Sequence, residues 1–175
     1  MSRRRCAFVV VLFAAAVVQA GCEYASPNGD VAQPFEGPGF SLEEGLTAAV
    51  PESGEFIVGA TRVVVADGDE PIRLFEERMN AVTAVLDEGP PGLVGYSVRR
   101  NLFSRGGYRT VSVWESQDAM WAFVLSDAHF AAVEDADRIG AEGTKVVQFT
   151  MPADELPPRW DMVIDKTDNE GRPAY

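Results

Sequence analysis

Residues 93–115 read LVGYSVRRNLFSRGGYRTVSVWE, and this stretch decides the fold. Val94, Tyr96, Val98 and Leu102 alternate with Ser97, Arg99 and Asn101, the period-two pattern of a strand with one buried face. Arg105-Gly106-Gly107 is a turn signal, and from Tyr108 to Glu115 the alternation resumes, with Tyr108, Thr110, Ser112 and Trp114 sharing a face. Two alternating runs joined by a glycine turn predict an antiparallel hairpin.

Working outward, Phe56-Ile57-Val58 and Arg62-Val63-Val64-Val65 are β-branched runs that predict a strand before the hairpin. Asp69 and Glu70 ahead of Pro71 give the acidic first turn of a helix. Ile72, Phe75, Met79, Val82 and Leu86 then repeat every three or four residues until Gly89-Pro90-Pro91 stops them. After the hairpin, Ser116 is placed to cap a helix through Met120 and Phe123, and Ser126 to cap a second piece from Asp127 to about Ile139. Lys145–Met151 (KVVQFTM) reads as the last strand.

The order β-α-β-β-α-β predicts an α+β, ferredoxin-like domain over residues 56–152: a four-stranded antiparallel sheet with both helices on one face. Two helices cover one face only, and the other also carries apolar residues. The expectation is a homodimer in which a second copy covers that face, closing a dimeric α/β barrel.

The flanks read differently. Arg3-Arg4-Arg5 followed by an uncharged apolar run to Ala20 has the form of a signal peptide over residues 1–21, too short in its apolar core to span a bilayer. Ala20-Gly21-Cys22 resembles the lipobox of bacterial lipoproteins, which implies that Cys22 carries a lipid; Gln19 departs from the apolar residue usual there, and ordinary secretory cleavage is the alternative. Ser2-Arg3-Arg4 resembles a twin-arginine signal, with Cys6 where that pattern has a bulky apolar residue. Cys6 leaves with the leader, so the mature chain keeps one cysteine and forms no internal disulfide or cysteine metal site. Residues 22–55, rich in Pro, Gly and acidic side chains, read as a flexible tether, and residues 153–175 as an irregular tail. The predicted location is outside the cytoplasm, on a membrane through the lipid. Net charge is −12, and loss of the three leader arginines takes it to −15, which excludes nucleic acid and anionic lipid heads as partners.

Tyr108–Ser116 (YRTVSVWES), with Ala119, Phe123, Ser126 and Ala128-His129, resembles the third strand and following helix of the antibiotic-biosynthesis-monooxygenase (ABM) branch of dimeric α/β-barrel proteins. That superfamily hosts cofactor-free oxygenation of quinols and polyketides, haem degradation, isomerisation and plain ligand binding. The candidate catalytic residue is His129, the one histidine, near a helix N-terminus that favours the neutral ring. Trp114, Trp121, Tyr96 and Tyr108 are candidates for the aromatic wall of a pocket, and Arg99 and Asn101 for orienting a ligand carbonyl. Three readings compete: a monooxygenase that needs no metal or cofactor, with His129 deprotonating a phenol; a haem-binding relative with His129 on iron; and a tethered, non-catalytic ligand-binding or scaffold lipoprotein, with a small aromatic molecule as the candidate ligand.

Overall fold

The computed structural model describes residues 24–25, 29–47, 50–51, 53–101, 107–140 and 143–174. The leader, Cys22 and the Arg105-Gly106 turn lie outside the described residues. In chain order the elements are β1 (Tyr24–Ala25), β2 (Asp30–Ala32), β3 (Phe40–Ser41), β4 (Gly45–Leu46), β5 (Glu55–Val64), α1 (Asp69–Asp87), β6 (Leu93–Asn101) and β7 (Gly107–Trp114). They continue with α2 (Gln117–Val124), α3 (Asp127–Glu134), α4 (Ala136–Ile139), β8 (Lys145–Pro152), α5 (Trp160–Asn169) and β9 (Arg172–Pro173).

At the centre is the expected ferredoxin-like α+β sheet, in the order β6-β7-β5-β8 and antiparallel throughout. Ahead of α1, Gly68 holds a left-handed φ of 126°, open to glycine at little cost, so the chain turns sharply from β5 into the helix. The predicted stripe of α1 faces the sheet: Ile72, Phe75 and Met79 pack with Val65 and Tyr108, while Val82 and Leu86 pack with Leu93 and Trp114. Ser116 Oγ accepts from the Ala119 amide at 3.2 Å and Ser126 Oγ from the His129 amide at 3.4 Å, so both caps form as their sequence places them. The second helical piece is divided at Asp135 into α3 and α4.

One side chain changes face. A bulge between Leu93 and Gly95 shifts the register of β6 on β7, which sends Val94 to the opposite side from Tyr96.

The second sheet face corrects the sequence reading most. It is covered by the chain itself. Phe56, Val58, Ala60, Val111, Val113 and Met151 project from it, and against them lie Phe35, Phe40 and Val50 from the N-terminal segment and Val163 from α5. Burying a side chain of this size stabilises by ~1.5–3 kcal/mol, which offsets part of the ~1–2 kcal/mol that ordering each residue of the segment costs. Residues 30–50 are therefore not a free tether. Gln33 donates to Val98 O, Gly39 to Val94 O, and Glu36 exchanges backbone hydrogen bonds with Tyr96, so the segment runs as a broken strand along β6. Two glycines make the approach possible: a Cβ on Gly37 would stand 2.4 Å from the Gly95 Cα, and one on Gly95 would stand 2.9 Å from the Glu36 carbonyl. Residues 153–175 are likewise not an irregular tail. They form a 3-10 turn, α5 and β9, with Val163 and Thr167 buried. The additions widen the sheet to seven strands, with β1-β2 beyond β6 and β9 beyond β8. The place expected for a second copy is filled.

Candidate functional site

His129 enters α3 at the amide that Ser126 caps, and its ring turns toward the sheet. It meets Phe123 edge-on with 5.1 Å between centroids, and Phe123 stacks on Trp114 at the same separation. Trp114 is completely buried, and its Nε1 donates to Ser112 Oγ at 2.9 Å. The imidazole is held below the ordinary histidine value chiefly by burial, against an opposing hydrogen bond to the Val124 backbone. Its Nδ1 is enclosed with no hydrogen-bond partner. His129, Phe123 and Trp114 are thus a closed stack of rings. The lowered His129 pKa favours a neutral ring, and its first cause is burial rather than the helix terminus. Nδ1, with no open side, is not placed to hold a haem iron, which leaves Nε2 as the ring's other nitrogen. Among the described residues no group of three His, Cys, Asp or Glu is arranged to hold a metal ion.

The remaining candidates separate. Tyr96 lies on the helix face and donates its hydroxyl to Asp87; burial first, then that carboxylate, pushes its pKa up. Trp121 points outward from α2, exposed. Tyr96 packs against the cluster that holds Trp114 and Phe123, whereas Trp121 is outside it. Tyr108, Arg99 and Asn101 do come together, at the far end of the sheet from His129, and they line open space there.

Two cavities occupy that end. The first, about 400 Å³, lies between α1 and the helix face of the sheet, lined by Phe75, Met79, Asn80, Thr83, Val98 and Tyr108, with Arg100 and Gln33 at its margin. It has the mixture expected of a small-molecule site: apolar and aromatic walls with a few hydrogen-bonding groups. The second, about 430 Å³, opens where β6 and β7 leave the sheet and is lined by Arg62, Arg99, Arg109, Asn101, Asp30 and Ile164. Tyr108 and Arg100 border both. His129, Trp114, Trp121 and Tyr96 border neither.

The arginines of the second cavity stand in register. Arg99 is opposite Arg109, Arg109 opposite Arg62 and Arg62 opposite Lys145, a row of four cations across four strands on the face that α5 covers. Like charges directly opposite one another destabilise a sheet, so the row needs counter-charge. The two added segments supply it. Asp168 of α5 takes Arg109 at 3.0 Å and Arg62 at 3.2 Å, and its backbone oxygen accepts from Lys145 Nζ at 2.6 Å. Asp30 of β2 accepts from Arg99 at 2.7 Å and from Asn101 at 2.8 Å; Arg99 and then Asn101 hold its carboxyl below the usual carboxylate range. Sequence reading found Arg99 and Asn101 but missed Arg62, Arg109 and Lys145. The signal existed: on β5 the inward series Phe56, Val58, Ala60 ends at Arg62, and on β8 the series Met151, Phe149, Val147 ends at Lys145.

Residues 65–135 match the model of the antibiotic biosynthesis monooxygenase family. The chain carries an ABM-like domain. The matched stretch runs from the end of β5 through the hairpin to α3, so it includes Tyr108 and His129 and leaves out Arg62, Asp168 and the segments over the second face. No curated protein sequence matches the chain.

Among solved structures, the chain is similar to SnoaB of Streptomyces nogalater, described as a cofactor-independent oxygenase. The identity is 15%, covering 59% of this chain and 98% of SnoaB, at TM-score 0.44. It is also similar to a dimeric ferredoxin-like protein of unknown function from Thermobifida fusca, at 17% identity, covering 56% of this chain and 92% of that one, TM-score 0.44. A candidate monooxygenase from Lactobacillus acidophilus aligns at 14% identity and TM-score 0.47 over 56% of this chain, which spans 45% of that protein's length.

Proposed function

We propose that the protein is an exported ABM-like domain that binds a small aromatic molecule in the cleft between α1 and the sheet and does not oxygenate it. The observation that carries this reading is the position of His129, which lines neither cavity. The base on which phenol deprotonation would depend is stacked behind Phe123, with Nδ1 sealed, and borders neither cavity. A general base must lie within hydrogen-bond reach of the proton it removes. The cleft, by contrast, offers Phe75, Met79 and Tyr108 to a flat ring and Asn80 and Thr83 to its hydroxyls.

The oxygenase reading keeps one observation in its favour, the family match over residues 65–135. One experiment separates the two. Titrating 1,4-dihydroxynaphthalene into the protein without oxygen is expected to give saturable binding, and admitting oxygen to give uptake no faster than the quinol shows alone. Protein-dependent oxygen uptake, above all uptake lost in His129→Ala, decides for the oxygenase.

Export and anchoring belong to the same proposal. The support is the leader of residues 1–21 and the lipobox-like Ala20-Gly21-Cys22, with Gln19 as the departure. With residues 30–50 packed on the sheet, the stretch left to separate the domain from a lipid on Cys22 is short. Cys22→Ser is expected to move the protein from the membrane to the soluble fraction; an unchanged distribution contradicts lipidation.

A homodimer is proposed on a different surface from the second sheet face. Trp121, Leu125, Phe130 and Val133 stand exposed on α2 and α3, apolar positions that the chain itself leaves uncovered.

A further inference from the structure

We propose that the cation row at the end of the sheet is a second binding site, on the opposite face from the helical layer, for a small organic dianion: a dicarboxylate or a phosphate monoester. The first argument is charge. Arg62, Arg99, Arg109 and Lys145 share one row, and among the described residues the carboxylates bonded to them are Asp168 and Asp30. Among the described residues, four cations thus share two carboxylates and the Asp168 carbonyl in the last turn of α5, in a chain whose net charge is −12. A solvated surface of that chain would spread its few cations among its many acids. Here they are concentrated where strand register holds them together.

Geometry supplies the second argument. Each guanidinium carries five donors in a planar fork suited to carboxylate and phosphate oxygens. Arg109 spends Nη2 on Asp168, and its Nη1 is buried with no partner, a donor that a ligand reaches only by displacing the groups over it. Arg99 is fixed by Asp30 below and by the Trp160 ring, whose centroid lies 5.8 Å from its Cζ. The forks are therefore held in place before a ligand arrives, which lowers the ordering cost of binding.

The third argument is shape. The cavity of about 430 Å³ has an apolar side, Val63, Val64 and Ile164, next to its charged side. That arrangement suits an anion with a compact apolar body rather than a bare inorganic ion. Asp30 and Asp168 arrive on β2 and α5, outside the stretch that matches the family model.

The test uses the mature protein and four probes in low salt: phthalate, phenyl phosphate, and the neutral analogues phthalamide and benzyl alcohol. Calorimetric titration is expected to show one saturable site for phthalate, phenyl phosphate or both, weakened several-fold by 0.15 M salt. The acid that binds more tightly assigns the carboxylate or the phosphate. Arg62→Gln is expected to weaken binding about tenfold and Arg62→Lys, which keeps charge but loses the fork, by less. Thermal melting of each variant checks that it folds; if Arg62→Gln melts early, Arg100→Gln replaces it with the same expectation. Absence of saturable binding, equal binding of the neutral analogues, or undiminished binding in both Arg62→Gln and Arg100→Gln overturns the proposal.

Discussion

His129 illustrates how a residue's neighbours rather than its identity set what it does. A lone histidine at a helix start, in a chain with an ABM-like stretch, points toward acid–base chemistry, and sequence carries it that far. What sequence does not carry is which way the ring turns. Burial against Phe123 favours the neutral imidazole and gives its Nδ1 nothing to act on. The consequence is a pH dependence of stability. Because the folded protein holds this group below the ordinary value of 6.5, the unfolded chain binds its proton more readily. Stability is therefore full above 6.5 and falls as the pH drops below it. Asp30, depressed from 3.8, contributes only on the acid side of that lower value and does not overlap. Denaturant titrations from pH 7.5 to 5 are expected to show this loss in the wild type and a flatter profile in His129→Leu. An equal slope in both assigns the effect to other groups.

At the scale of elements, legibility followed periodicity. The strands and helices of the central unit announce themselves because alternation and the three-four stripe are regular over eight residues or more, and because Ser116 and Ser126 sit where a cap belongs. The covering segments lack that regularity. Val31, Phe35, Phe40 and Val50 are single apolar residues spaced among prolines and glycines, and each gains its burial from the sheet rather than from a neighbour in sequence. α5 was hidden for another reason: Pro157 and Pro158 stand just before it and read as an end to structure, though Trp160, Val163 and Thr167 keep a helical spacing. Local pattern cannot report a contact made with another part of the chain. Gly95 carries the point to a measurement. A methyl there meets the Phe35 ring at 2.7 Å and the Glu36 carbonyl at 2.9 Å. Gly95→Ala is expected to cost ~1–3 kcal/mol by overpacking and to speed amide exchange in residues 33–39 before the rest of the sheet. Unchanged exchange there means that the segment is not held on β6 as described.

For the whole molecule, the charge balance misleads if it is averaged. A net −12 argues against nucleic acid and acidic membranes, yet the same chain sets four cations side by side at one end of its sheet. The expectation of a partner on the second face failed for a related reason: it counted two helices against two faces and omitted residues 30–50 and 160–169. The apolar surface left for a second copy is on α2 and α3. Light scattering at micromolar concentration is expected to give a dimer that Phe130→Glu together with Leu125→Glu converts to monomer; a wild-type monomer contradicts that assignment. The molecule so described keeps its ABM-like layer, closes the far face of its sheet with its own ends and opens its cavities away from its histidine. The most direct check is amide and side-chain NMR of the protein titrated with 1,4-dihydroxynaphthalene under nitrogen. The account predicts that the shifts centre on Phe75, Met79, Asn80 and Tyr108, with His129 and Trp114 unmoved. Shifts centred on Trp114, Phe123 and His129 contradict it.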